Sequence, residues 1–417
     1  TGFLYSSKEK TTIKRMNSNL QRLQPYPFER LAELKNGIIP PQHLNHISLS
    51  IGEPKHPAPD FVKRVLADSI DDISRYPTTK GSAELREVIG SWLETRFQLK
   101  PGSVNPDISI LPVCGTREAI FSFTQATLDK SSSVTTPLVI TPNPFYQIYE
   151  GATILASAEV YLLSCGAKEQ FKPDFSAVSA DIWQRCQLLQ LCSPGNPTGA
   201  LIEPDQMELV IELADKYDFI IASDECYSEV YLDEDRPPVG LLQVCKDLGR
   251  DNYSRCVVFH SLSKRSNLPG LRSGFIAGDN KLIQQFLKYR TYHGCSMSLP
   301  VQKASIAAWS DELHTIENRS LYRKKFSAVT SILGECLDFP EPKASFYLWP
   351  KTPIDDLEFT TQLYAQQNVT VLPGQFLSRA TANENPGRNR VRMALVAQVD
   401  ECLEAALRIK QFVSSIK

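Results

Sequence analysis

The sequence has almost no net charge. It contains 45 lysines and arginines against 47 aspartates and glutamates among 417 residues, of which 42% are hydrophobic. A balanced charge gives no support for a nucleic-acid partner, and the apolar fraction is sufficient to bury a large core. At ~100–200 residues per domain, we expect a globular protein of two or three domains that does not bind nucleic acid.

The sequence also lacks recognisable metal-binding patterns. Its ten cysteines are scattered without a CxxC pair, and neither they nor the six histidines have the spacing of a zinc site. Scattered, unpaired cysteines are typical of a reducing compartment. We therefore predict a cytoplasmic protein without a metal site.

Long apolar runs are absent as well. There is no uninterrupted apolar stretch of about 18 residues, and the first residues lack the apolar core of a signal peptide, so we expect a protein that neither spans a membrane nor is secreted. Residues 1–15, "TGFLYSSKEKTTIKR", are polar and basic. We expect them to form a disordered upstream extension, with a short transit peptide as the alternative.

Four short apolar runs indicate an α/β fold. They are "PLVIT", "LLQLC", "FIIAS" and "CVVFH", each too short for a helix and each followed by polar or turn residues. Between the second and third run, helical spacing predicts a helix behind Pro204 with an apolar face of Met207, Val210, Ile211, Ala214 and Tyr217. Strands that alternate with such helices form a largely parallel sheet.

The residues that follow these runs are candidates for the functional site, because ligands of open α/β sheets bind beyond the carboxyl ends of the strands. These segments are "PNPFYQIY" (142–149), "SPGNPTG" (193–199), "SDECYSEVY" (223–231) and "SLSKRSNLPGLRSG" (261–274). They contain an aromatic residue, an asparagine on a turn, an aspartate with a nearby tyrosine, and a lysine followed by an arginine.

This combination suits pyridoxal phosphate (PLP). Its aldehyde forms a Schiff base with a lysine, its pyridine nitrogen needs an acidic partner, and its phosphate needs cationic or amide donors. Lys264, Asp224 and Arg272 can fill these three roles, and a separation of 40 residues (264 − 224) suits neighbouring parallel strands. Taken alone, the basic cluster around Lys264 would be interpreted as solvated surface.

A helix start supplies a second candidate phosphate site. Gly115 and Thr116 precede a predicted helix whose inner face would be Ala119, Ile120, Phe123 and Ala126. Backbone N–H groups at a helix start bind anions. Any helix can begin with Gly-Thr, so this signal gains weight only beside Lys264.

As an ordered set, these motifs resemble the PLP-dependent aminotransferases of fold type I, class I/II. The resemblance runs from about residue 17 to the C-terminus through "YPTTKGSAELREVI", "CGTREAI", "NPFYQIY", "SPGNPTG", "SDECYSEVY", "SLSKRSNLPGLRSG" and "VRMALV". It implies a large, mostly parallel-sheet PLP domain over 61–295 and a smaller α+β domain from 16–60 and 296–417. It also implies a homodimer with shared active sites.

The resemblance assigns roles residue by residue. Lys264 would be the Schiff-base lysine and proton carrier, Asp224 would pair with the pyridinium nitrogen, and Tyr146 would stack on the ring. The phenolic oxygen would bind Asn196 and Tyr227, and the phosphate would bind Gly115, Thr116, Ser261 and Arg272, with Tyr76 from the neighbouring subunit. Individually, Tyr146 could be core packing, Tyr227 a helix turn and Asp224 a turn aspartate.

The substrate α-carboxylate would be held by Arg392 in "VRMALV" and by the backbone of Gly52, with Asn196 beside them. Arg390 is a rival for the same role, and Arg388 lies close to it in sequence. Cys114 departs from the family pattern, because many relatives have a small polar residue there. A thiol would bind phosphate more weakly, while the backbone donors would be unaffected.

Within the class, the nearest resemblance is to the succinyldiaminopimelate aminotransferases of lysine and diaminopimelate biosynthesis. It implies the conversion of N-succinyl-LL-2,6-diaminopimelate and 2-oxoglutarate to N-succinyl-2-amino-6-oxopimelate and L-glutamate. The extra carboxylates would need further donors, for which we consider Lys55, Arg290, His293 and Arg22, although surface basic residues are the default interpretation.

Three other activities stay open at this point. The chain could instead be an aminotransferase acting on acetylornithine or a broad range of amino acids, a PLP-dependent carbon–sulfur lyase, or a non-catalytic PLP-binding regulator domain. The regulator would need an attached DNA-binding region, and no basic helix-turn-helix segment is visible in the first 60 residues.

Overall fold

The computed structural model describes residues 16–131, 135–381 and 384–416. The predicted extension over residues 1–15 lies outside the described residues. The described helices are α1 (Pro27–Leu34), α2 (Asp60–Asp68), α3 (Ala83–Arg96), α4 (Thr116–Thr127), α5 (Ile148–Leu155), α6 (Ala180–Arg185), α7 (Pro204–Tyr217), α8 (Leu241–Asp247), α9 (Leu262–Arg265), α10 (Asn280–His293), α11 (Leu299–Trp309), α12 (Leu313–Leu333), α13 (Asp356–Gln367) and α14 (Val399–Ser415). None of them combines the length and apolar composition needed to cross a bilayer.

The strands are β1 (Ile47–Ser48), β2 (Ile110–Val113), β3 (Leu138–Asn143), β4 (Glu159–Ser164), β5 (Cys186–Cys192), β6 (Ile220–Asp224), β7 (Cys256–Ser261), β8 (Gly274–Gly278), β9 (Tyr347–Leu348), β10 (Val369–Thr370), β11 (Leu372–Pro373) and β12 (Val391–Ala394). Short 3-10 helices cover Ser18–Arg22, Ile70–Ser74, Phe175–Ala177, Pro269–Leu271 and Gly374–Phe376.

A seven-stranded sheet forms the centre of the molecule. Its order is β2-β8-β7-β6-β5-β3-β4, and only β8 runs antiparallel to its neighbours. The four predicted apolar runs correspond to β3, β5, β6 and β7, and every residue of β7 is buried. Strands buried on both faces have continuous rather than alternating hydrophobicity, so the prediction of a largely parallel sheet is confirmed.

Helices cover both faces of this sheet. In α7, Pro204 occupies the first turn, and Met207, Val210, Ile211 and Ala214 are buried as predicted, while Tyr217 is only partly buried. In α4, Ala119, Ile120 and Phe123 are buried, but Ala126 is exposed. The prediction for Ala126 was wrong. This residue lies in the last turn of α4, where the helix is no longer packed against the core.

The two ends of the chain meet in a second structural unit. Strand β1 pairs in parallel with β10, and β11-β12-β9 form an antiparallel sheet. Helices α12, α13 and α14 pack beside these strands, and their apolar residues form a core of their own. This pairing supports the predicted return of the C-terminal region to the N-terminal segment.

Helix α11 lies at the predicted domain boundary. It packs on α2 and α3, and its residues Ala304, Ala308 and Trp309 belong to the core of the large sheet. The division at residue 295 stays a prediction. The packing of α11 places residues 299–309 with the large sheet.

Candidate functional site

A cavity of about 460 Å³ lies where the strand ends of the large sheet face the N-terminal segment and β12. Ten of the predicted site residues line it: Gly52, Thr116, Tyr146, Asn196, Asp224, Tyr227, Ser261, Lys264, Arg272 and Arg392. Gly115 directly precedes Thr116. Residues from seven separate segments of the chain thus meet in one place.

Parallel strands bring the central pair of this site together. Asp224 is the last residue of β6, and Ser261 is the last residue of the neighbouring parallel strand β7. Lys264 follows in the single-turn helix α9, where the Ser261 hydroxyl accepts a hydrogen bond of 3.1 Å from the Ser263 amide. This short cap turns the chain so that Lys264 reaches the cavity.

Asp224 is a buried carboxylate, and burial raises its pKa. The Tyr149 hydroxyl donates to its Oδ2 at 2.8 Å, and the Cys226 amide donates to its Oδ1 at 3.3 Å. Within the described ranges, no lysine or arginine forms an ion pair with it. A cationic ligand group in the cavity would supply the missing countercharge.

A fraction of the Lys264 side-chain amine is deprotonated near neutral pH. Burial, with a smaller contribution from the nearby Arg392, lowers its pKa to about 8. Its Nζ donates to the Gly52 carbonyl at 2.6 Å, which links the N-terminal segment to the strand-end site. An amine with such a pKa is suited to act as nucleophile and base.

Gly115, Thr116 and Arg272 form a cradle for an anion. Gly115 precedes α4 with φ +90°, and a Cβ there would collide with the Arg272 guanidinium. Arg272 donates to the Pro269 carbonyl at 2.8 Å, which holds its guanidinium beside the start of α4. A helix N-terminus together with an arginine provides amide and cationic donors for a phosphate.

Four further polar side chains line the cavity, those of Tyr146, Asn196, Tyr227 and Tyr347. The Tyr227 and Tyr347 hydroxyls are hydrogen-bonded at 2.8 Å, and burial raises the pKa of both phenols, so they stay protonated. Asn196 Oδ1 accepts a hydrogen bond of 2.9 Å from Arg392 Nη1. Tyr146 packs edge-on against Tyr149, with 5.8 Å between ring centroids.

The two rival arginines lie in different places. Arg392 is buried on β12, donates from Nη2 to the Ser50 carbonyl at 2.7 Å, and has an Nε with no hydrogen-bond partner within the described ranges. Arg390 donates to the Trp349 carbonyl at 2.9 Å and lines a separate cavity. Arg388 is exposed. Of these three residues, only Arg392 faces the cavity that contains Lys264.

Tyr76 does not reach the cavity of its own chain. It follows the 3-10 helix Ile70–Ser74, and its side chain is fully exposed. Its proposed contact with the neighbouring subunit therefore stays a prediction.

The basic residues considered for extra carboxylates do not line the cavity. Arg290 is fully buried and forms a two-pronged ion pair with Glu118, at 2.7 and 3.0 Å. Lys55 pairs with Glu401 at 3.6 Å, Arg22 bonds Asn19 at 3.1 Å, and His293 stacks on Tyr289. The burial and ion pair of Arg290 contradict its proposed role. The roles of Lys55, Arg22 and His293, which do not line the cavity of their own chain, stay predictions.

Sequence reasoning missed Arg117, Tyr26, Tyr149 and Tyr347. Arg117 lines the cavity, and its Nη2 donates to the Tyr26 hydroxyl at 2.5 Å. Its only signal in the sequence was its place after Gly115-Thr116. The other three are tyrosines whose partners lie far away in the chain, so no local pattern indicated them.

The cavity fits PLP. A buried carboxylate without a basic partner, a lysine with a lowered pKa and an arginine-containing anion cradle are the three groups that the cofactor requires. They lie in one cavity with a buried arginine whose Nε is unpaired. The arrangement can bind the cofactor and a carboxylate substrate at the same time.

The family model "Aminotransferase class I and II" matches residues 45–408. The chain belongs to the class I and II aminotransferases. PLP is the cofactor of this class, so the cofactor prediction is confirmed. Solved aminotransferase structures of the same architecture confirm the fold type I prediction.

Relatives of this aminotransferase include enzymes of diaminopimelate metabolism. An LL-diaminopimelate aminotransferase from Nitratidesulfovibrio vulgaris is 30% identical over 404 residues, which are 95% of this chain and 98% of the relative. An aminotransferase structure from Neisseria meningitidis is 48% identical, with a TM-score of 0.90 over 96% of this chain and 100% of its own. A structure from Thermus thermophilus, described as a probable N-succinyldiaminopimelate aminotransferase, is 26% identical, with a TM-score of 0.80 over 92% and 99%.

Proposed function

We propose that this aminotransferase transfers the free amino group of N-succinyl-LL-2,6-diaminopimelate to 2-oxoglutarate. The products are N-succinyl-2-amino-6-oxopimelate and L-glutamate. The observation that carries this proposal is that Arg392 and Arg117 line the cavity that contains Lys264, in addition to Arg272 of the anion cradle. A substrate with carboxylates at both ends can pair with both.

Arg392 is suited to the α-carboxylate. Its burial and its bonds to Asn196 and Ser50 fix the guanidinium at the cavity wall, and its Nε has no hydrogen-bond partner within the described ranges. A planar guanidinium binds a carboxylate through two parallel hydrogen bonds, which a lysine cannot copy. The same group can bind the α-carboxylate of glutamate, so both substrates can use it in turn.

Arg117 is suited to the far end of the substrate. It is exposed in the second position of α4, and it lies over the Tyr26 ring at 5.1 Å and the Tyr146 ring at 5.8 Å. These rings hold the guanidinium in place by cation–π attraction. The distal carboxylate or the succinyl carboxylate can pair with it.

The residues around Lys264 support proton transfer at the substrate Cα. Bound PLP supplies a conjugated ring that accepts the electron pair released when the Cα–H bond breaks. The Lys264 amine takes that proton, and the Gly52 carbonyl orients the amine. Asp224 offers its buried carboxylate to the ring nitrogen, and Tyr149 fixes the orientation of that carboxylate.

LL-diaminopimelate is the second candidate substrate, because the curated relatives include LL-diaminopimelate aminotransferases. Its far end carries an ammonium group where the succinylated compound carries an amide and a further carboxylate. Arg117 repels an ammonium and attracts a carboxylate. The charge of the cavity mouth therefore favours the succinylated compound.

Two further parts of the proposal concern the oligomeric state of the enzyme and its cellular compartment. We infer a homodimer in which Tyr76 reaches the phosphate of the neighbouring subunit, supported by its full exposure on the single chain. All ten cysteines are free, which supports a reducing, cytoplasmic compartment.

The substrate proposal is tested on the purified holoenzyme by single-turnover absorbance. N-succinyl-LL-diaminopimelate, LL-diaminopimelate and L-glutamate are added separately in the absence of an acceptor. We expect the succinylated compound and glutamate to convert the bound cofactor to its amine form, with LL-diaminopimelate at least about tenfold slower. Conversion by LL-diaminopimelate at the faster rate would move the assignment to that substrate.

Two variants make the test specific. Lys264→Ala removes the amine and is expected to abolish conversion by every donor. Arg117→Ala is expected to raise KM for the succinylated compound by about tenfold, with a smaller effect on glutamate. Arg388→Ala, an exposed arginine outside the cavity, is the matched control and should leave both values unchanged. Equal effects of the Arg117 and Arg388 variants would contradict the role of Arg117.

A further inference from the structure

Two cysteines lie side by side behind the anion cradle. The Sγ atoms of Cys114 and Cys295 and a carboxylate oxygen of Glu118 are all within 4.8 Å of one another. Both thiols are free and half-buried. The proposed transamination uses neither thiol.

Two packed elements hold these thiols close together. Cys114 joins β2 to the start of α4, and its amide donates to Glu118 Oε1 at 2.9 Å. Cys295 follows Gly294, whose left-handed conformation with φ +77° ends α10. Arg290 on α10 pairs with Glu118 and donates to the Cys295 carbonyl at 3.2 Å. The Arg290–Glu118 pair therefore fixes both cysteine backbones relative to each other.

The surroundings favour a bond between the thiols over a metal ion. Both oxygens of Glu118 are occupied by the Arg290 guanidinium, which also places a positive charge beside the cluster. Burial and the neighbouring Cys295 raise the pKa of the Cys114 thiol to about 12. A metal would need a free carboxylate and a deprotonated Cys114 thiol, whereas Glu118 is paired and the pKa of Cys114 is raised.

We propose that Cys114 and Cys295 are a redox pair that a peroxide converts to a reversible disulfide. Cys295 attacks hydrogen peroxide as the thiolate, which forms a sulfenic acid and releases the first water. The Cys114 thiol then attacks that sulfur, so that the S–S bond forms and the second water leaves. Two electrons pass from the two sulfurs to the peroxide, and the two thiol protons are carried away in the water.

The order of attack follows from the position of each thiol. Cys295 comes directly after the exposed residues 291–294, whereas Cys114 lies against the core and has a raised pKa. A disulfide brings the Sγ atoms to about 2.05 Å. Rotation about χ1 of each cysteine, with a small shift of the segment after Gly294, can supply this movement.

The disulfide would act on the anion cradle. The Cys114 carbonyl lies 3.5 Å from Arg272 Nη2, and Gly115 is the next residue. A pull on Cys114 toward α10 would shift the start of α4 relative to Arg272. We expect oxidation to weaken the binding of the cofactor phosphate by at least about fivefold in Kd.

Cys245 and Cys256 provide an internal control. Their side chains, on α8 and β7, are also in contact, but both are completely buried. Closeness alone would allow both pairs to be oxidised, whereas accessibility to peroxide selects Cys114 and Cys295.

The experiment is peptide mapping of the holoenzyme after treatment with hydrogen peroxide and alkylation of the remaining thiols. We expect a cross-linked peptide that joins Cys114 to Cys295, disappears with dithiothreitol, and leaves Cys245 and Cys256 alkylated after denaturation. Cys295→Ser should retain full activity when reduced, form no cross-link, and lose the peroxide-dependent release of PLP measured by filtration.

Three results would overturn the proposal. They are sulfinic acid at either cysteine without a cross-link, cross-linking of Cys245 to Cys256 instead, and protection of Cys114 and Cys295 from alkylation by added Zn²⁺. Unchanged retention of PLP in protein that is fully cross-linked would refute the effect on the cradle.

Discussion

At the scale of single residues, the orientation of Arg392 depends on groups from three parts of the chain. Asn196, Ser50 and the Tyr347 ring, whose centroid lies 4.4 Å from its guanidinium carbon, hold the guanidinium in place at the cavity wall. Arg390 makes none of these contacts. Two arginines that are equivalent in sequence thus have different neighbours.

The first prediction concerns this pair. Arg392→Lys removes the two-pronged geometry and is expected to raise KM for both substrates by about 10–100-fold. Arg390→Lys is the matched control and should change KM by less than about twofold. Steady-state kinetics with each substrate varied in turn measures both. An unchanged KM in the Arg392 variant would transfer the role to Arg390.

Lys325 illustrates the cost of a buried charge. It is almost completely buried in the second structural unit, which the two chain ends form. Its Nζ donates to the Val396 carbonyl at 3.2 Å, and burial lowers its pKa to about 8. Below that pH the folded protein must hold a buried cation. Between about pH 8 and the unfolded pKa of 10.5, the unfolded chain binds a proton that the folded chain lacks. The contribution of Lys325 to the free energy of unfolding therefore rises with pH in that window.

The second prediction follows from this pH dependence of the free energy of unfolding. At pH 7, Lys325→Met should increase the free energy of unfolding by about 1–3 kcal/mol relative to Lys324→Met, an exposed neighbour used as control. The difference should shrink as the pH rises from about 8 to 10.5. Urea denaturation of the two cofactor-free variants across this range measures it. A difference that grows with pH would show that the assigned direction is wrong.

At the scale of elements, helix ends position several site groups. The N-terminus of α10 is capped by Asp279, whose Oδ1 accepts from the Lys281 and Leu282 amides at 2.8 and 3.4 Å, while Oδ2 accepts from the Arg255 amide at 2.8 Å. The far end of the same helix carries Arg290, which fixes Glu118 at the start of α4. The cap therefore stabilises a helix that supports the cradle.

The third prediction tests this cap. Asp279→Ala leaves three partly buried amides without an acceptor and should lower the free energy of unfolding by about 1–3 kcal/mol. Asn280→Ala, in the exposed next position, should change it by less than about 0.5 kcal/mol. Chemical denaturation gives both values. Equal effects would show that the cap does not stabilise α10.

At the scale of the whole molecule, an exposed apolar surface lies next to Tyr76. Ile70 and Ile73 on the 3-10 helix before it are 53% and 68% exposed, and Tyr76 itself is fully exposed. Exposed apolar clusters of this kind mark protein contacts. This surface is our candidate for the homodimer contact.

The fourth prediction concerns this surface. The protein should sediment as a dimer, and Ile73→Glu should raise the dimer dissociation constant by at least about tenfold. Tyr76→Phe should keep the dimer but raise the Kd for PLP by about threefold or more, through loss of a hydroxyl contact to phosphate. Tyr292→Phe, at another exposed tyrosine, is the control and should leave both values unchanged. A monomer with full PLP affinity would contradict a shared site.

Some features could be predicted from sequence because they depend on local order along the chain. The apolar runs, the helix behind Pro204 and the polar residues at the strand ends follow from hydrophobic periodicity and from the geometry of parallel sheets. Lys264, Asp224 and Arg272 were found in this way, and the family resemblance added Ser261, Asn196, Tyr227, Tyr146 and Arg392. All eight line one cavity.

Other features depended on contacts between distant segments. Arg290 resembled a substrate ligand until Glu118, 172 residues away, proved to be its partner. Arg117 gained its position from Tyr26, and Asp224 from Tyr149, 91 and 75 residues away respectively. The sequence alone determined the sheet, the cofactor chemistry and most groups that carry it. The tertiary structure decided which arginine faces the cavity, which charges are neutralised and which thiols lie together, because those properties depend on distances between side chains that sequence order does not encode.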